Sequence, residues 1–341
     1  MANYNTNKDH LKLAIDSILK QTYKDFELII VDDKSTDDSL EFLRSYESKY
    51  PQIKILVNEK NQGLAYSLNK ALAFAKGSYI ARMDTDDISF PDRFEKEVFY
   101  LENHKDVDIL GTFAKEFDQG HKLKFATFTN SYDTKSLLLF TNCLFHPTVM
   151  IRKAFLDKTG LRYDPYFLTS QDYDFWARAS HFGNIEVLKE VLLLYRIHGG
   201  QITDKKKERV MKYTKEISLR ELSKLGLSPQ GEDLEAQLVL CRQVEISDEN
   251  IDKVITWSKK ILKANFDKNI YNASSLKRVI SFRLFTMISK ANISFSKKIK
   301  ALYQIKAFNK FNLGQIFTRL DYKNSYKKNK ERLGLELERG K

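Results

Sequence analysis

The sequence is poor in the residues that mark several classes of protein. Its 341 residues include only two cysteines, Cys143 and Cys241, which excludes a multi-disulfide framework and a cysteine-rich metal site. Thirteen glycines and five prolines exclude collagen-like and low-complexity chains. No run approaches the ~18 apolar residues of a membrane-spanning helix, and the first residues lack the apolar core of a signal peptide. These absences predict a cytoplasmic globular protein.

Positive charge is concentrated at one end of the chain. The whole sequence has 57 Lys and Arg against 45 Asp and Glu, a net charge of +12. Residues 251–341 hold 22 of the basic and 6 of the acidic residues, so they carry +16 and the preceding 250 residues carry −4. Such asymmetry predicts an anionic partner surface.

The basic residues over 277–320 are interleaved with Ile, Phe, Leu and Met, a pattern typical of helices that lie on anionic bilayers. A solvated helical bundle is the alternative interpretation. Nucleic acid is not an expected partner, because the aromatic residues of this segment are not arranged as stacking platforms.

Strand and helix patterns alternate through the first part of the chain. This alternation predicts an α/β fold with a parallel sheet covered by helices on both faces. The predicted strands are 26–31, 53–57, 78–83 and 107–113, and the predicted helices are 9–21, a helix capped by Ser35 that reaches Tyr46, 65–75, and 91–103.

The alternation loosens after about residue 133. A short helix is predicted over 175–182 and an apolar connector over 187–195, and from 205 the pattern is mostly helical. We therefore expect a sheet-containing domain over 1–203 and a basic helical region over 204–341.

Acidic residues directly follow two of the predicted strands, where ligands bind in open α/β sheets. Asp32 and Asp33 are suited to accepting hydrogen bonds from a ribose or a nucleobase, or equally to capping the next helix. Asp84, Asp86 and Asp87 favour a hard cation, because Mg²⁺ and Mn²⁺ take a few carboxylates together with phosphate oxygens. Helix capping is again the alternative.

Asp172 opens the short helix predicted next to several aromatic residues. A partly desolvated carboxylate has a raised pKa and is suited to accepting a proton. From the spacing alone, however, a helix-capping aspartate with the aromatic residues in the core is the favoured interpretation. His146 and His198 are ambiguous in the same way.

Several segments, taken together and in order, resemble glycosyltransferase family 2. The resemblance covers about residues 4–202 and implies a GT-A fold, a mostly parallel sheet flanked by helices. It also implies inverting transfer of a sugar from a nucleotide-sugar, usually UDP-linked, with Mn²⁺ or Mg²⁺. The segments are AIDSILKQTYKDFELIIVDD (14–33), STD (35–37), ARMDTDDISFPDR (81–93), HPTVM (146–150), DYDFW (172–176) and YRIH (195–198).

The resemblance implies roles for individual residues in binding the donor. Asp33 would contact the uracil, beside Tyr4 and Asn5. Asp84 and Asp86 would form the DxD pair of the family.

The resemblance also implies a metal site and a catalytic base. Asp86 and Asp87 would lie nearest the ribose, the diphosphate and the metal, with His198 near the diphosphate and the metal. Asp172 would be the general base that accepts the proton of the acceptor hydroxyl.

Three features depart from the family pattern. Lys34 stands where the family usually has glycine, and Gln171 stands where glutamate often precedes the base. Only three residues precede Tyr4, too few for a first strand of ~5 residues, so we expect that central strand to be absent. An added apolar strand would then increase stability and activity, and the coding sequence upstream of Met1 is expected to encode one.

The sequence therefore predicts a metal-dependent bacterial glycosyltransferase that helps to build capsule, exopolysaccharide or lipopolysaccharide. The acceptor would be a saccharide, in particular a lipid-linked one, reached from the cytoplasm at the inner face of the cell membrane. The alternative is a degenerate relative that binds without catalysis. The acids at 84, 86 and 172 argue against such decay.

Overall fold

The computed structural model describes residues 1–117, 123–124, 129–197 and 207–305. The chain divides into two compact units. The first comprises Met1–Pro229 and Ala264–Leu276, and the second comprises Gln230–Lys263 and the described residues from Lys277 onward. The predicted domain boundary at 203 lies outside the described residues and stays a prediction.

The first unit begins with a three-stranded parallel sheet in the order β1-β2-β3. The strands predicted over 26–31 and 53–57 are confirmed, as are the helices before, between and after them. The elements are β1 (Ala2–Asn3), α1 (Lys8–Leu19), β2 (Leu28–Asp32), α2 (Ser39–Lys49), β3 (Ile53–Val57) and α3 (Leu64–Phe74).

A second, mixed sheet follows in the order β4-β8-β6-β9-β5, with β7 paired to β6. Among the described residues of this sheet, β6 and β9 form the one parallel pair, so the parallel arrangement predicted from the alternation holds for the first three strands. Its elements are β4 (Tyr79–Ala81), β5 (Ile88–Ser89), α4 (Arg93–Asn103), β6 (Val107–Phe117), β7 (Leu123–Lys124), α5 (Ser131–Leu137), a 3₁₀ turn (His146–Thr148), β8 (Met150–Arg152), α6 (Lys153–Thr159), α7 (Gln171–Ala179) and β9 (Asn184–Arg196).

Helices continue from residue 207. Helix α8 (Lys207–Lys224) belongs to the first unit, and the later helices confirm the predicted helical C-terminal region. Within the ranges that the structure describes, no helix combines the length and the apolarity needed to cross a bilayer. The later helices are α9 (Gly231–Leu240), α10 (Ile251–Lys268), α11 (Ala273–Lys290) and α12 (Phe295–Gln304).

Strand β2 is buried on both faces, as its uninterrupted apolar sequence predicts. Leu28 and Ile30 pack into the core formed with α1 and α4, and Ile29 and Val31 point to the opposite face, toward α3. Alternate residues of one strand thus connect two apolar layers.

Helix α1 shows why these sequences fold locally as they do. Its buried face repeats at helical spacing, and the side chain of Asn7 caps its first turn by accepting from the N–H groups of Asp9 and His10. Such a cap typically stabilises a helix by about 1 kcal/mol.

Three local predictions from the sequence are wrong. Ser35 does not cap α2, because its hydroxyl donates to Asp32 and the helix begins only at Ser39, after Asp38. Residues 187–195 are not a connector but most of strand β9, because their apolar side chains are buried by pairing with β6 and β5. The first strand is not absent: Ala2 and Asn3 pair in parallel with β2, although over two residues only.

Candidate active site

The loops that follow β1, β2 and β4 meet at the carboxyl ends of these strands. The hydroxyl groups of Thr6 and Thr85 lie 3.0 Å apart, which joins the first loop to the acidic loop after β4. Asn5, in the left-handed region with φ 49°, accepts at 2.8 Å from the N–H of Thr36 in the loop after β2. Tyr4 is exposed beside it. The segments in which the sequence predicts nucleotide contacts are therefore neighbours.

Asp33 holds together the loop that leads into α3. Its carboxylate accepts from the Asn58 amide at 2.7 Å and from the backbone N–H groups of Gln62 at 2.9 Å and Gly63 at 2.7 Å. Gly63 has a φ of +87°, which favours glycine at this cap of α3. Asp33 therefore positions the loop beside the site, and its predicted contact with a nucleobase stays a prediction.

The acidic loop after β4 is held by two arginines. Asp84 forms an ion pair with Arg82, whose guanidinium is almost completely buried. The backbone N–H of Arg196 donates to Asp87 Oδ1 at 2.8 Å, and Arg196 Nε donates to the carbonyl of Asp86 at 2.8 Å. These contacts bring the end of β9 to the acids.

The charged forms of Asp84 and Asp87 are destabilised by burial and by neighbouring carboxylates. Burial, followed by the neighbouring charges of Asp84 and Asp86, raises the pKa of Asp87 well above its usual range. Burial also raises the pKa of Asp84, which Arg82 opposes. The positive charge of Arg82 therefore does not fully compensate the carboxylates of this loop.

The donor atoms of this loop fit a divalent cation. Asp87 Oδ2 is buried and has no hydrogen-bond partner among the described residues. Mg²⁺ is commonly held by one or two carboxylates together with substrate phosphates, so a complete protein cage is not required. Within the described ranges, no group of three or more His, Cys, Asp or Glu side chains forms such a cage. His198 lies outside the described residues, two positions beyond the end of β9.

Asp172 lies in the first turn of α7 but does not cap it. The capping position is Ser170, so the interpretation favoured by spacing alone is wrong in that part, whereas the buried aromatic residues of α7 are confirmed as core. Asn142 donates to Asp172 Oδ2 at 2.7 Å, and the N–H of Tyr173 donates to Oδ1 at 2.8 Å. Burial raises the pKa of Asp172, although both hydrogen bonds oppose the rise.

Tyr195 is influenced electrostatically by both Asp172 and the acidic loop. Burial raises its pKa most, and the charges of Asp84, Asp87, Asp86 and Asp172 raise it further. The charges of all four carboxylates thus act on one phenol, although Asp172 and the loop are far apart in the sequence.

His146 is a neutral structural histidine. Its Nε2 lies 2.9 Å from the Tyr163 hydroxyl, and its ring is buried against Trp176. Burial and then the charge of Arg82 lower its pKa well below the usual range. It therefore remains uncharged at neutral pH.

Three residues that shape this site have no individual role predicted from the sequence: Arg82, Asn142 and Arg196. An arginine at the end of an apolar strand, directly before an acidic loop, is a signal that would have pointed to Arg82. Arg196 lies in the YRIH segment (195–198) that carries the resemblance, whereas Asn142 leaves no such signal, because its importance comes from the partner that folding brings to it.

Comparisons with known proteins identify the family of the chain. The sequence model described as Glycosyl transferase family 2 matches residues 1–160. An uncharacterized glycosyltransferase of Methanocaldococcus jannaschii is 36% identical over 227 residues, covering 62% of this chain and 75% of that protein. The O-antigen biosynthesis glycosyltransferase WbnJ of Escherichia coli is 39% identical over 197 residues, covering 55% and 75%.

A solved structure shows the same fold. S. aureus TarS 1-349 in complex with UDP-GlcNAc superposes with a TM-score of 0.56 at 17% identity, covering 91% of this chain and 88% of that one. The fold is thus GT-A, and the matches place the chain among the glycosyltransferases. It belongs to glycosyltransferase family 2.

The burial of neutral His146 predicts a measurable pH dependence of stability. The unfolded chain gains a proton at this residue below pH ~6.5, whereas the folded chain does not, so stability falls on acidification by up to about 1.4 kcal/mol per pH unit. In His146→Gln, which can still hydrogen-bond to Tyr163, urea unfolding between pH 5 and 7 should give a shallower slope. The exposed His104→Gln is the control, and equal slopes in all three proteins would contradict the assignment.

Proposed function

We propose that this enzyme transfers a sugar, with inversion, from a UDP-linked donor to a hydroxyl of a growing cell-surface saccharide. The contacts that hold the acidic loop after β4, together with the hydrogen bonds that orient Asp172, carry this proposal. Relatives support the class of product: WbnJ is named for O-antigen biosynthesis, and AmsE of Erwinia amylovora, 32% identical over 233 residues, is named for amylovoran biosynthesis. TarS, with UDP-GlcNAc bound, supports the class of donor.

Asp86 and Asp87 would hold a Mn²⁺ or Mg²⁺ ion, whereas Asp84 forms an ion pair with Arg82. When bound, the ion supplies positive charge that stabilises the leaving diphosphate. The uncompensated charge of the loop and the unpartnered Asp87 Oδ2 support this assignment. A mannosyltransferase of Pyrobaculum calidifontis with GDP-Man and Mn²⁺ has the same fold, with a TM-score of 0.52. His198 remains a predicted additional contact.

The nucleotide would lie where the loops after β1 and β2 meet. Asn5 is fixed by Thr36, and the aromatic ring of Tyr4 beside it is free to stack on a base. Asp33 keeps acceptor capacity beyond its three protein hydrogen bonds, since a carboxylate offers about four acceptor positions.

Asp172 would accept the proton of the acceptor hydroxyl. The hydroxyl oxygen bonds to the anomeric carbon as the bond to the diphosphate oxygen breaks on the opposite face, and that bonding pair leaves with the diphosphate. Asn142 and the N–H of Tyr173 hold the carboxylate in one orientation. Its raised pKa brings it nearer the working pH, where a general base is most effective.

Replacing Asp172 with asparagine should abolish transfer without affecting the donor site. The amide has nearly the same shape but cannot accept the proton, so kcat should fall at least ~100-fold. Binding of UDP, measured by calorimetry, should be unchanged. The exposed Asp157→Asn on α6 is the matched control and should keep the parent rate. A rate for Asp172→Asn within about tenfold of the parent would exclude it as the base.

Removing a ligand of the ion should weaken nucleotide binding only when metal is present. For Asp86→Ala we expect UDP affinity with Mn²⁺ to fall at least about tenfold, since even outer-sphere changes at metal sites have effects of that size. Affinity in EDTA should match the parent, as should thermal unfolding. The exposed Asp106→Ala serves as control. Metal-dependent binding by Asp86→Ala as strong as that of the parent would refute the assignment.

A degenerate, non-catalytic binding protein is the alternative. A screen of UDP-sugars with Mn²⁺ distinguishes the two, because binding of UDP without turnover of any sugar would favour the alternative.

We also propose that the second unit contacts an anionic membrane, where a lipid-linked acceptor would be reached from the inner face. Helix α12 exposes Phe295, Ile299 and Tyr303, with exposed fractions of 78%, 48% and 84%. Their spacing of four residues places them on one face of the helix. The exposed Lys300 lies next to this row, and the charge of +16 over 251–341 suits an anionic surface.

Replacing this row tests the membrane proposal. The triple variant Phe295→Ser, Ile299→Ser, Tyr303→Ser should lose at least about tenfold in binding to vesicles with anionic lipid, because each buried apolar side chain contributes about 1.5 kcal/mol or more. The double variant Phe99→Ser, Phe182→Ser removes exposed aromatic residues from the first unit and should bind as the parent does. Equal binding of the triple variant and the parent in vesicle sedimentation would contradict the proposal.

A further inference from the structure

Lys34, in the loop after β2, has a backbone conformation that lysine rarely adopts. Its φ of 63° lies in the left-handed region, where the Cβ atom of an L-residue crowds the following carbonyl. The glycine that is usual in the family at this position would carry no such strain. Strained residues that persist in a fold occur preferentially at functional sites, so the lysine side chain is a candidate for a role there.

Hydrogen bonds on both sides hold Lys34 in this conformation. Before it, the carboxylate of Asp33 is bound by the loop that leads into α3. After it, the N–H and the hydroxyl of Ser35 donate back to the carboxylate of Asp32 at 3.0 Å and 2.6 Å. The Ser35 hydroxyl also accepts from the N–H of Asn5 at 3.1 Å. The lysine side chain therefore extends from a backbone that its neighbours fix.

The ammonium group of Lys34 has no structural partner among the residues that the structure describes. The side chain is exposed, and within those ranges it makes neither a hydrogen bond nor an ion pair. The acids that follow it in the sequence have other partners, because Asp38 pairs with Lys8 and Asp37 accepts from the N–H of Ser39. The ammonium is therefore available to a ligand.

A hydrogen-bond acceptor and a hydrogen-bond donor follow one another in this loop. Asp33 keeps acceptor capacity beyond its protein hydrogen bonds, and the ammonium of Lys34 offers three donors on a flexible stem. Such a pair is complementary to an edge of a nucleobase on which a ring N–H lies beside a carbonyl. Uracil has this edge at N3–H and O4.

We propose that Lys34 selects uracil over cytosine in the donor nucleotide by donating a hydrogen bond to the carbonyl at C4, while Asp33 accepts from N3–H. Cytosine carries an amino group at C4, which is itself a donor, and its N3 is an acceptor. The same edge would then place donor against ammonium and acceptor against carboxylate. This selection rests on the proposed function, because it requires a nucleotide at the loops after β1 and β2. It assigns specificity to a position where the family pattern has no side chain.

A phosphate group of the donor is the rival partner of the ammonium, since lysine also binds phosphates. The diphosphate is the same in UDP and CDP, so loss of a phosphate contact would weaken the binding of both nucleotides equally. Loss of a contact with the C4 carbonyl would weaken the binding of UDP alone. The ratio of the two affinities therefore distinguishes the two partners.

The test measures the affinities of UDP and CDP by calorimetry with Mn²⁺, for the full chain and for Lys34→Met, which keeps an unbranched side chain without the donors. UDP affinity should fall about tenfold, the size of one hydrogen bond from a charged group, and CDP affinity should stay the same or rise. Lys49→Met, at the exposed last residue of α2, is the matched control and should keep the parent ratio. An equal loss of both nucleotides, or an unchanged ratio in Lys34→Met, would overturn the proposal.

Changing the ligand atom provides a second test. In 4-thio-UDP a sulfur, which is a weak acceptor, replaces O4. The parent chain should bind this analogue about tenfold more weakly than UDP, whereas Lys34→Met should bind the two ligands equally. An equal preference for UDP over 4-thio-UDP in both proteins would contradict a contact between Lys34 and O4.

Replacing Lys34 with glycine separates nucleotide selection from folding. Removal of the Cβ atom relieves the left-handed strain, so the melting temperature of Lys34→Gly should be at least that of the parent. Its preference for UDP over CDP should fall as in Lys34→Met. A parent chain that binds no UDP with Mn²⁺ would overturn the proposed function together with this inference. A parent that binds UDP, with the same preference after either substitution, would overturn this inference alone.

Discussion

The guanidinium of Arg82 is almost completely buried and forms an ion pair with Asp84, and its charge also acts on Asp87 and Asp172. Burial raises the pKa of each carboxylate, and the charge of Arg82 opposes that rise in all three. Charges in the protein interior interact more strongly than in water, so these acids would destabilise one another without a buried cation. The same charge adds to the effect of burial that keeps His146 neutral. One cation therefore allows an acidic site to exist inside the fold.

The acidic loop also depends on a strand distant in the sequence. Arg196, at the end of β9, binds Asp87 through its backbone N–H and the carbonyl of Asp86 through its side chain, and its guanidinium stacks over Phe117 with 4.4 Å to the ring centroid. Because β9 pairs with β6 in parallel over most of its length, the position of Arg196 is fixed by the second sheet. The first sheet contributes the loops after β1 and β2. The site therefore forms only when both sheets are folded and hold their loops in place.

Hydrophobic pattern alone predicted much of the local structure. The strand over 53–57 and helix α1, predicted over 9–21, follow from apolar spacing. The face of a strand or helix on which a residue lies depends only on its position along that element. The apolar run of 187–195 was misinterpreted as a connector, since the pairing that makes it a strand comes from β6 and β5. The capping role expected of Ser35 failed because Asp32 competes for its hydroxyl. Both predictions, for residues 187–195 and for Ser35, failed because the structure of these residues depends on which partner they bind.

The sequence by itself determined the family, the order of the elements and the position of the acids after their strands. Only the tertiary structure decided which distant partners two of these acids take: Asp33 binds the backbone N–H of Gly63, and Asp172 accepts from Asn142. A hydrogen bond requires its atoms to lie about 3 Å apart. Asp33 and Asp172 are each about thirty residues from these partners in the sequence, so the packing of loops and helices around the two sheets sets those distances.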